Sequence, residues 1–252
     1  MPISKNKIKL IRSLANKKNR EEEGLFVAEG TKIVSEIVDS NFEVVSVFAV
    51  ADFFQKHKIS DKIEQIEISE TELKQISFLT TPNQALALVR IPKREFDINI
   101  LNSYLVLAYD DIQDPGNLGS VIRTAEWFGI KHIICTQNSV DVFNSKVVQA
   151  TMGAISRVEV FYTDLEKLFV QISNQNIEIY GTLLNGNNIY NENLTSKGII
   201  LFGNESKGIS PKLEKFVTKK IKIPEANGNK TESLNVSIAS GIVCAEFSRI
   251  KN

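Results

Sequence analysis

The sequence predicts an α/β protein in two parts: a parallel-sheet domain with helices on both faces, preceded by a smaller α/β domain. Three observations predict it. From residue 103 onward, short apolar segments alternate with helix-length ones in β-α-β-α order. The short segments are near-continuously apolar, as in Gly198-Ile199-Ile200-Leu201-Phe202, the composition of strands buried on both faces. Before residue 92 strands also alternate with short helices, which makes a unit of about 90 residues.

Taken in order, residues 3–20 read as one amphipathic helix, with Ile3, Ile8, Leu10, Ile11 and Leu14 on one side and cations around the rest. Leu25 to Ala28 follows as a strand, then Glu29-Gly30 and a helix over 31–39. Val44 to Val50 is a β-branched strand. Ser69-Glu70-Thr71-Glu72 is a capping signal for a helix to about Ile76, and 84–91 is the last strand of this part. Pro92-Lys93-Arg94-Glu95 is polar and proline-led, so the first domain is read as 1–92, a linker as 93–102 and the second domain as 103–252. There the strands are 104–108, 132–136, 158–162, 178–184, 199–202 and 220–223. The helices between and after them are 120–128, closed by Gly129, then 146–155, 165–175, 211–217 and 236–250.

Composition is that of a globular protein, 42% apolar and 24% charged, with 30 basic and 30 acidic residues. A zero net charge steers the whole molecule to no anionic partner, but the distribution is uneven. Residues 1–20 hold Lys5, Lys7, Lys9, Arg12, Lys17, Lys18 and Arg20 and no acid, and Lys212, Lys215, Lys219, Lys220 and Lys222 form a second cluster. Such patches fit phosphate contacts, and equally a solvated helix face. Cys135 and Cys244 stand far apart in apolar runs, which reads as two reduced core thiols. His57 and His132 have no ligand-spaced partner and read as structural. No apolar stretch approaches about 18 residues, so the expectation is a cytoplasmic protein without a membrane segment.

Two stretches carry the candidate chemistry. Gly203-Asn204-Glu205-Ser206-Lys207-Gly208 follows a strand, Ile221-Lys222-Ile223-Pro224 ends another, and Ser233-Leu234-Asn235-Val236-Ser237 opens the last helix with N-cap residues. Two strand ends and a helix start converge there, the place where α/β sheets bind ligands. Gly203 to Ser210 nearly spells a phosphate-binding loop, but Ile209 occupies the lysine position. Either half alone reads equally as glycines closing turns. The second stretch, Asp110 to Gly119, holds Asp110, Asp111 and Asp114 without calcium-loop spacing, and Asp114-Pro115-Gly116-Asn117 is also an ordinary turn sequence. Beyond it Arg123 and Glu126 lie on one helical face. Arg123 suits either a salt bridge or an anion or hydroxyl.

Asp114-Pro115-x-Asn117-Leu118-Gly119 with Arg123, Gly203-Asn204-Glu205-x-x-Gly208, and Ile223-Pro224 with Ser233-Leu234-Asn235-Val236-Ser237 closely resemble, in this order, the three motifs of the SpoU (TrmH-like) RNA 2′-O-ribose methyltransferases of the SPOUT superfamily. Phe26-Val27-Ala28-Glu29-Gly30 looks like the start of that family's substrate-binding domain, which is similar to the L30e-type ribosomal-protein fold. The resemblance spans nearly the whole chain. It departs in two places: residues 225–231 make a longer loop before Ser233, and Ser206 replaces a common glycine.

The resemblance implies a C-terminal trefoil knot, a homodimer formed through the catalytic domain, and S-adenosylmethionine as cofactor with no metal. It assigns Arg123, Asn117, Glu205, Asn235 and Ser233 to catalysis. It assigns Thr182, Leu183, Gly203, Glu205, Gly208, Ile223 and Leu234 to the cofactor. Arg123 is the family's proposed base, although a guanidinium is nearly always protonated, which favours orienting the ribose and a phosphate. The N-terminal domain points to ribosomal RNA as substrate. Methylation of tRNA, a methylation conferring antibiotic resistance, and an inactive RNA-binding assembly factor are the rival expectations.

Overall fold

The structure, a computed structural model, describes residues 3–226 and 233–249. Its contacts divide the chain into two units, Met1–Lys93 with Asp141–Ser156, and Arg94–Val140 with Arg157–Asn252.

In the N-terminal unit the expected single helix is two, α1 (Lys5–Ser13) and α2 (Lys17–Glu23). The break has a local cause: Asn16 leaves the helix and its side chain accepts the Lys18 N–H at 2.9 Å, starting a new helix, while Leu14 turns into the core. Then come β1 (Leu25–Glu29), α3 (Thr31–Val38), β2 (Val44–Ala49), α4 (Ala51–Lys56), β3 (Glu64–Glu67), α5 (Glu70–Ile76) and β4 (Ala85–Arg90). The four strands form one sheet in the order β1-β4-β2-β3, with β4 antiparallel to both of its neighbours and β3 parallel to β2. Sequence reading misses α4 and β3. Glu64-Gln65-Ile66-Glu67 carries one apolar residue, and pairing with β2, not patterning, makes it a strand. The capping box of α5 is present, Ser69 Oγ accepting from Glu72 N and Glu72 returning to Ser69 N.

The segment Asp141–Ser156, expected in the second domain, clusters with this unit instead, and its helix (Ser145–Thr151) packs on β1. Arg20, buried at 2% exposure, explains the attachment. Its Nε and Nη2 donate to Asp141 Oδ2 at 2.9 and 2.6 Å, and Nη1 donates to the carbonyls of Leu14 and Ala15. Arg20 is thereby removed from the basic N-terminal surface.

The C-terminal unit contains β5 (Leu105–Tyr109), α6 (Pro115–Trp127), β6 (His132–Thr136), β7 (Glu159–Thr163), α8 (Leu165–Ile172), β8 (Ile179–Asn188), β9 (Gly198–Phe202), α9 (Pro211–Glu214), β10 (Lys219–Lys222) and α10 (Val236–Arg249), with α7 being the helix at 145–151. Its sheet runs β10-β8-β9-β5-β6-β7, and every neighbouring pair is parallel. Val106, Ala108, Ile134, Ile199 and Leu201 meet Leu165, Leu168 and Phe169 of α8 in one core. Leu101, in a 3₁₀ turn at Ile98–Asn102, is buried in that core, so the apolar end of the stretch read as a linker is packed.

Connectivity places the crevice. After β5 the chain moves outward through β6 to β7, while after β9 it moves the opposite way to β10. The carboxyl ends of β5 and β9, adjacent in the sheet, therefore mark a switch point, where the loops leave in opposite directions and a cleft forms. The last helix returns to pack on α6, and its Ser240 hydroxyl hydrogen-bonds Tyr109 at 2.8 Å.

Candidate active site

The helix expected over 120–128 begins five residues earlier, at Pro115, and this decides where Asn117 lies. Asp114 is the N-cap, its Oδ1 accepting the Asn117 N–H at 2.8 Å, and Pro115 fills the first helical position, where no N–H is needed. What reads as a turn is thus the first turn of α6, and Asn117 is held in it.

The loop after β9 closes as a small hairpin. Asn204 and Gly208 exchange backbone hydrogen bonds of 3.0 and 2.9 Å, and Asn204 Oδ1 accepts the N–H groups of Ser206 and Lys207. Gly208 has φ +69°, and Gly203 lies so close to the returning strand that a Cβ there would be 2.1 Å from the Gly208 carbonyl carbon and 2.2 Å from Ile209 N. Both glycines serve the hairpin's own closure. The hairpin is fastened to the β5 loop: Asn204 Nδ2 donates to Asp111 O at 2.9 Å, and Ser210 N donates to the buried Asp110 carboxylate at 2.8 Å. Asp110 and Asp111 thus hold a loop, and among the described residues no group of three or more His, Cys, Asp or Glu is placed to hold a metal.

Three of the expected catalytic side chains come together. Asn117 Nδ2 donates to Glu205 Oε1 at 2.9 Å, and Asn235 Nδ2 donates to Asn117 Oδ1 at 2.9 Å. Residues separated by up to 118 positions in sequence form one hydrogen-bonded chain. Asn235 also caps α10, its Oδ1 accepting the Ser237 N–H at 2.9 Å and the Ser237 hydroxyl at 2.6 Å. Arg123 and Ser233 stand outside this chain. Arg123 is exposed two turns further along α6, roughly 120° around the helix from Asn117, with no hydrogen bond or ion pair to the described residues. Its expected helical neighbour Glu126 pairs with Arg157 instead. Ser233 is exposed just before Leu234 and Asn235.

Of the expected cofactor residues, Thr182 and Leu183 lie in β8, Gly203 and Ile223 follow the neighbouring strands β9 and β10, Glu205 and Gly208 lie in the hairpin, and Leu234 precedes α10. Pairing of β8 with β10 jumps from Gly181↔Lys220 to Asn187↔Ile221, so residues 182–186 bulge out of the sheet. Thr182 ties the start of the bulge to β9, its hydroxyl donating to Leu201 O at 3.0 Å, and Leu183 packs against the core. Gly203 follows β9, and half-buried Ile223 follows β10. Leu234 leaves 48% of its surface exposed ahead of α10. Residues 227–232, most of the longer loop, lie outside the described residues. Bulged backbone with apolar side chains beside it fits a ligand that combines a flat apolar ring with polar groups.

Sequence reasoning passed over three contributors: Asn204, Asp114 in its capping role, and the hydroxyl of Ser237. Local signals existed for Asp114, a residue followed by proline at the start of a helix, and for Ser237, two positions beyond an N-cap. Asn204 stands within the Gly203–Gly208 motif, but nothing local signals that its side chain acts on a loop 93 residues away. Cys135 and Cys244 are free and buried, and burial raises both thiols, that of Cys244 to about 12, so neither is a nucleophile here. Burial lowers His132.

Comparison with known proteins places this geometry. The profile of the SpoU rRNA methylase family matches residues 104–245, and that of the MRM3-like substrate binding domain matches residues 5–87. Bacillus subtilis 23S rRNA (guanosine(2553)-2′-O)-methyltransferase RlmP is 27% identical over 94% of both chains. A solved structure described as an RNA methyltransferase of the TrmH family, from Porphyromonas gingivalis, superposes with TM-score 0.92 at 34% identity over 99% of this chain and all of that one. An AdoMet-bound rRNA methyltransferase from Sinorhizobium meliloti superposes with TM-score 0.85 at 27% identity, covering 99% of this chain and 97% of the other.

Proposed function

The chain belongs to the SpoU rRNA methylase family, and from that premise we propose that it transfers the methyl group of S-adenosylmethionine to a ribose 2′-hydroxyl of ribosomal RNA. The single observation that supports this reading best is the chain Asn235–Asn117–Glu205, which joins all three sequence motifs at the switch point of the parallel sheet. Bound S-adenosylmethionine supplies an electrophilic methyl on a sulfonium centre. The reaction then asks the protein for in-line placement of the 2′-oxygen and removal of one proton.

Each role follows from what the side chains offer. Thr182, Leu183, Gly203, Glu205, Gly208, Ile223 and Leu234 would hold the cofactor. Asn117, Glu205 and Asn235 orient the nucleotide, and Ser233 lies beside them. Arg123, exposed and without a partner among the described residues, is left to bind a phosphate and orient the ribose. The side chains of Lys207 and Lys212 are exposed and have no partner among the described residues, so they serve the RNA backbone, whereas Lys215 and Lys220 are engaged by Glu166 and Glu214.

The same reading includes four further elements. The N-terminal unit is an L30e-like RNA-binding domain, supported by the substrate-binding profile over 5–87. The C-terminal segment forms a trefoil knot, supported by β10 pairing beyond β8 and by α10 returning to α6. The protein is a homodimer through the catalytic domain, supported by Trp127 of α6 and Ile238 of α10, 84% and 55% exposed. It is cytoplasmic; no described helix is long and apolar enough to cross a membrane.

The test is transfer of labelled methyl from S-adenosylmethionine to RNA from cells lacking the protein, followed by ribose mapping. The expected result is label in a ribosomal RNA ribose. Label confined to tRNA overturns the substrate, and absence of both label and cofactor binding overturns the activity. Arg123→Ala should lower turnover by about a hundredfold or more with cofactor affinity unchanged; wild-type turnover would remove Arg123 from the mechanism.

A further inference from the structure

The hydrogen-bonded chain has a direction, and the direction is set at one end. Asn235 Oδ1 receives two backbone N–H groups of α10, from Ser237 at 2.9 Å and Ile238 at 3.4 Å, together with the Ser237 hydroxyl at 2.6 Å. Turning that amide over would bring its NH₂ against N–H donors, so the oxygen must face the helix. Its Nδ2 is then obliged to face Asn117 Oδ1, at 2.9 Å. Asn117 has no choice either: reversal would set NH₂ against NH₂ on one side and oxygen against the Glu205 carboxylate on the other. The Asn117 Nδ2 donation to Glu205 Oε1, at 2.9 Å, is the only arrangement left.

We infer that Ser237 and the first N–H groups of α10 act as the polarity setter of the site: they make Asn235 a positioning residue that works through Asn117 on Glu205. The inference rests on the methyltransferase reading for its consequence, and on the hydrogen-bond geometry alone for its existence. With the direction locked, the second N–H of each amide remains a donor, and Glu205 Oε2, unengaged among the described residues, remains an acceptor. Two donors and one acceptor match a ribose carrying a hydroxyl beside a phosphodiester. The hydroxyl hydrogen meets the carboxylate, and the phosphate or ribose oxygens meet the amides. A reversed chain would offer oxygens where the substrate also has oxygens. Ser237 and the helix end thus make the site selective for a hydroxyl donor next to an oxygen-rich group.

The decisive variant is Asn235→Asp. Aspartate caps helices as well as asparagine, so α10 keeps its cap, but the substituted carboxylate presents oxygen to Asn117. Asn117 must then turn its NH₂ toward position 235 and its oxygen toward Glu205, which breaks the contact with Glu205. The readout is the side-chain amide resonances of Asn117 in the labelled full-length protein, assigned with Asn117→Ser and compared with and without Glu205→Gln. In the wild-type background Glu205→Gln shifts them, because the amide donates to that carboxylate. In the Asn235→Asp background the same substitution should shift them far less, while the thermal transition and S-adenosylmethionine affinity of Asn235→Asp stay near wild type. Turnover should fall about a hundredfold, the scale of a misplacement near 1 Å. Ser237→Ala, which leaves the backbone donors, should lose about fivefold in turnover, and Ser237→Thr should restore it. Asn117 resonances that respond equally to Glu205→Gln in the Asn235→Asp and wild-type backgrounds overturn the inference. A wild-type protein that methylates no RNA but shows this amide behaviour fails the functional reading while leaving the polarity intact.

Discussion

Replacing Gly203 by alanine tests how strictly the hairpin after β9 must close. The added Cβ would stand 2.1 Å from the Gly208 carbonyl carbon, 2.2 Å from Ile209 N and 2.5 Å from Gly208 O. All three are backbone atoms, so no side chain can swing aside. Ordinary contact begins at 3.4 Å, so one arm of the hairpin must move by about 1.3 Å. The Asn204–Gly208 backbone pair, at 3.0 and 2.9 Å, spans the same gap, and Glu205 is the next residue in the turn. A shift of that size takes Glu205 Oε1 out of reach of Asn117 Nδ2, now 2.9 Å away. Overpacking of this kind costs about 1–3 kcal/mol of stability, and displacement of a positioning group by about 1 Å costs roughly a hundredfold in rate. Urea denaturation of the full chain and kcat/KM for methyl transfer measure the two effects. Alanine at 203 with unchanged stability and turnover would refute the argument that this glycine is demanded by close approach.

Two other predictions concern the N-terminal unit. Asp141→Ala strips the partner from an arginine that is 2% exposed, and should destabilise the protein by about 3 kcal/mol in equilibrium denaturation, because an unpaired buried charge remains; a loss under 1 kcal/mol would show that the carbonyls of Leu14 and Ala15 suffice. Burial raises the Glu29 carboxyl, and its hydrogen bonds from Ser77 and the Phe78 N–H only partly offset this. Its stabilising contribution is therefore complete below the unfolded carboxylate range and is lost as pH rises through the elevated folded value. Glu29→Gln cannot ionise, so its stability relative to wild type should increase from about pH 4.5 toward neutrality in paired denaturation curves; parallel curves would count against a raised carboxyl.

The parts of this protein legible in its sequence are those with local causes. The capping box at Ser69–Glu72 appears as read, because both partners lie within one turn. The apolar strands 105–109 and 198–202 pair in parallel as their uniform burial requires. The motif residues Asn117, Glu205 and Asn235 meet in one hydrogen-bonded chain.

Other features depended on partners far along the chain. A capped turn and an ordinary turn spell alike at Asp114–Asn117, and only the helix that continues from Pro115 makes the difference. The strand at 64–67 exists because β2 offers it an edge, and the helix at 145–151 goes to the N-terminal unit because Asp141 meets a buried Arg20. The orientation of two amides, which decides whether the site presents donors or acceptors, is written in no motif. It follows from a helix end, an asparagine on another helix and a glutamate on a hairpin being brought within hydrogen-bond distance. Sequence alone determined the motif residues and the elements whose signals are local. The tertiary structure decided which of them touch, and which way their hydrogen bonds run, because hydrogen-bond direction depends on distances that chain proximity does not set.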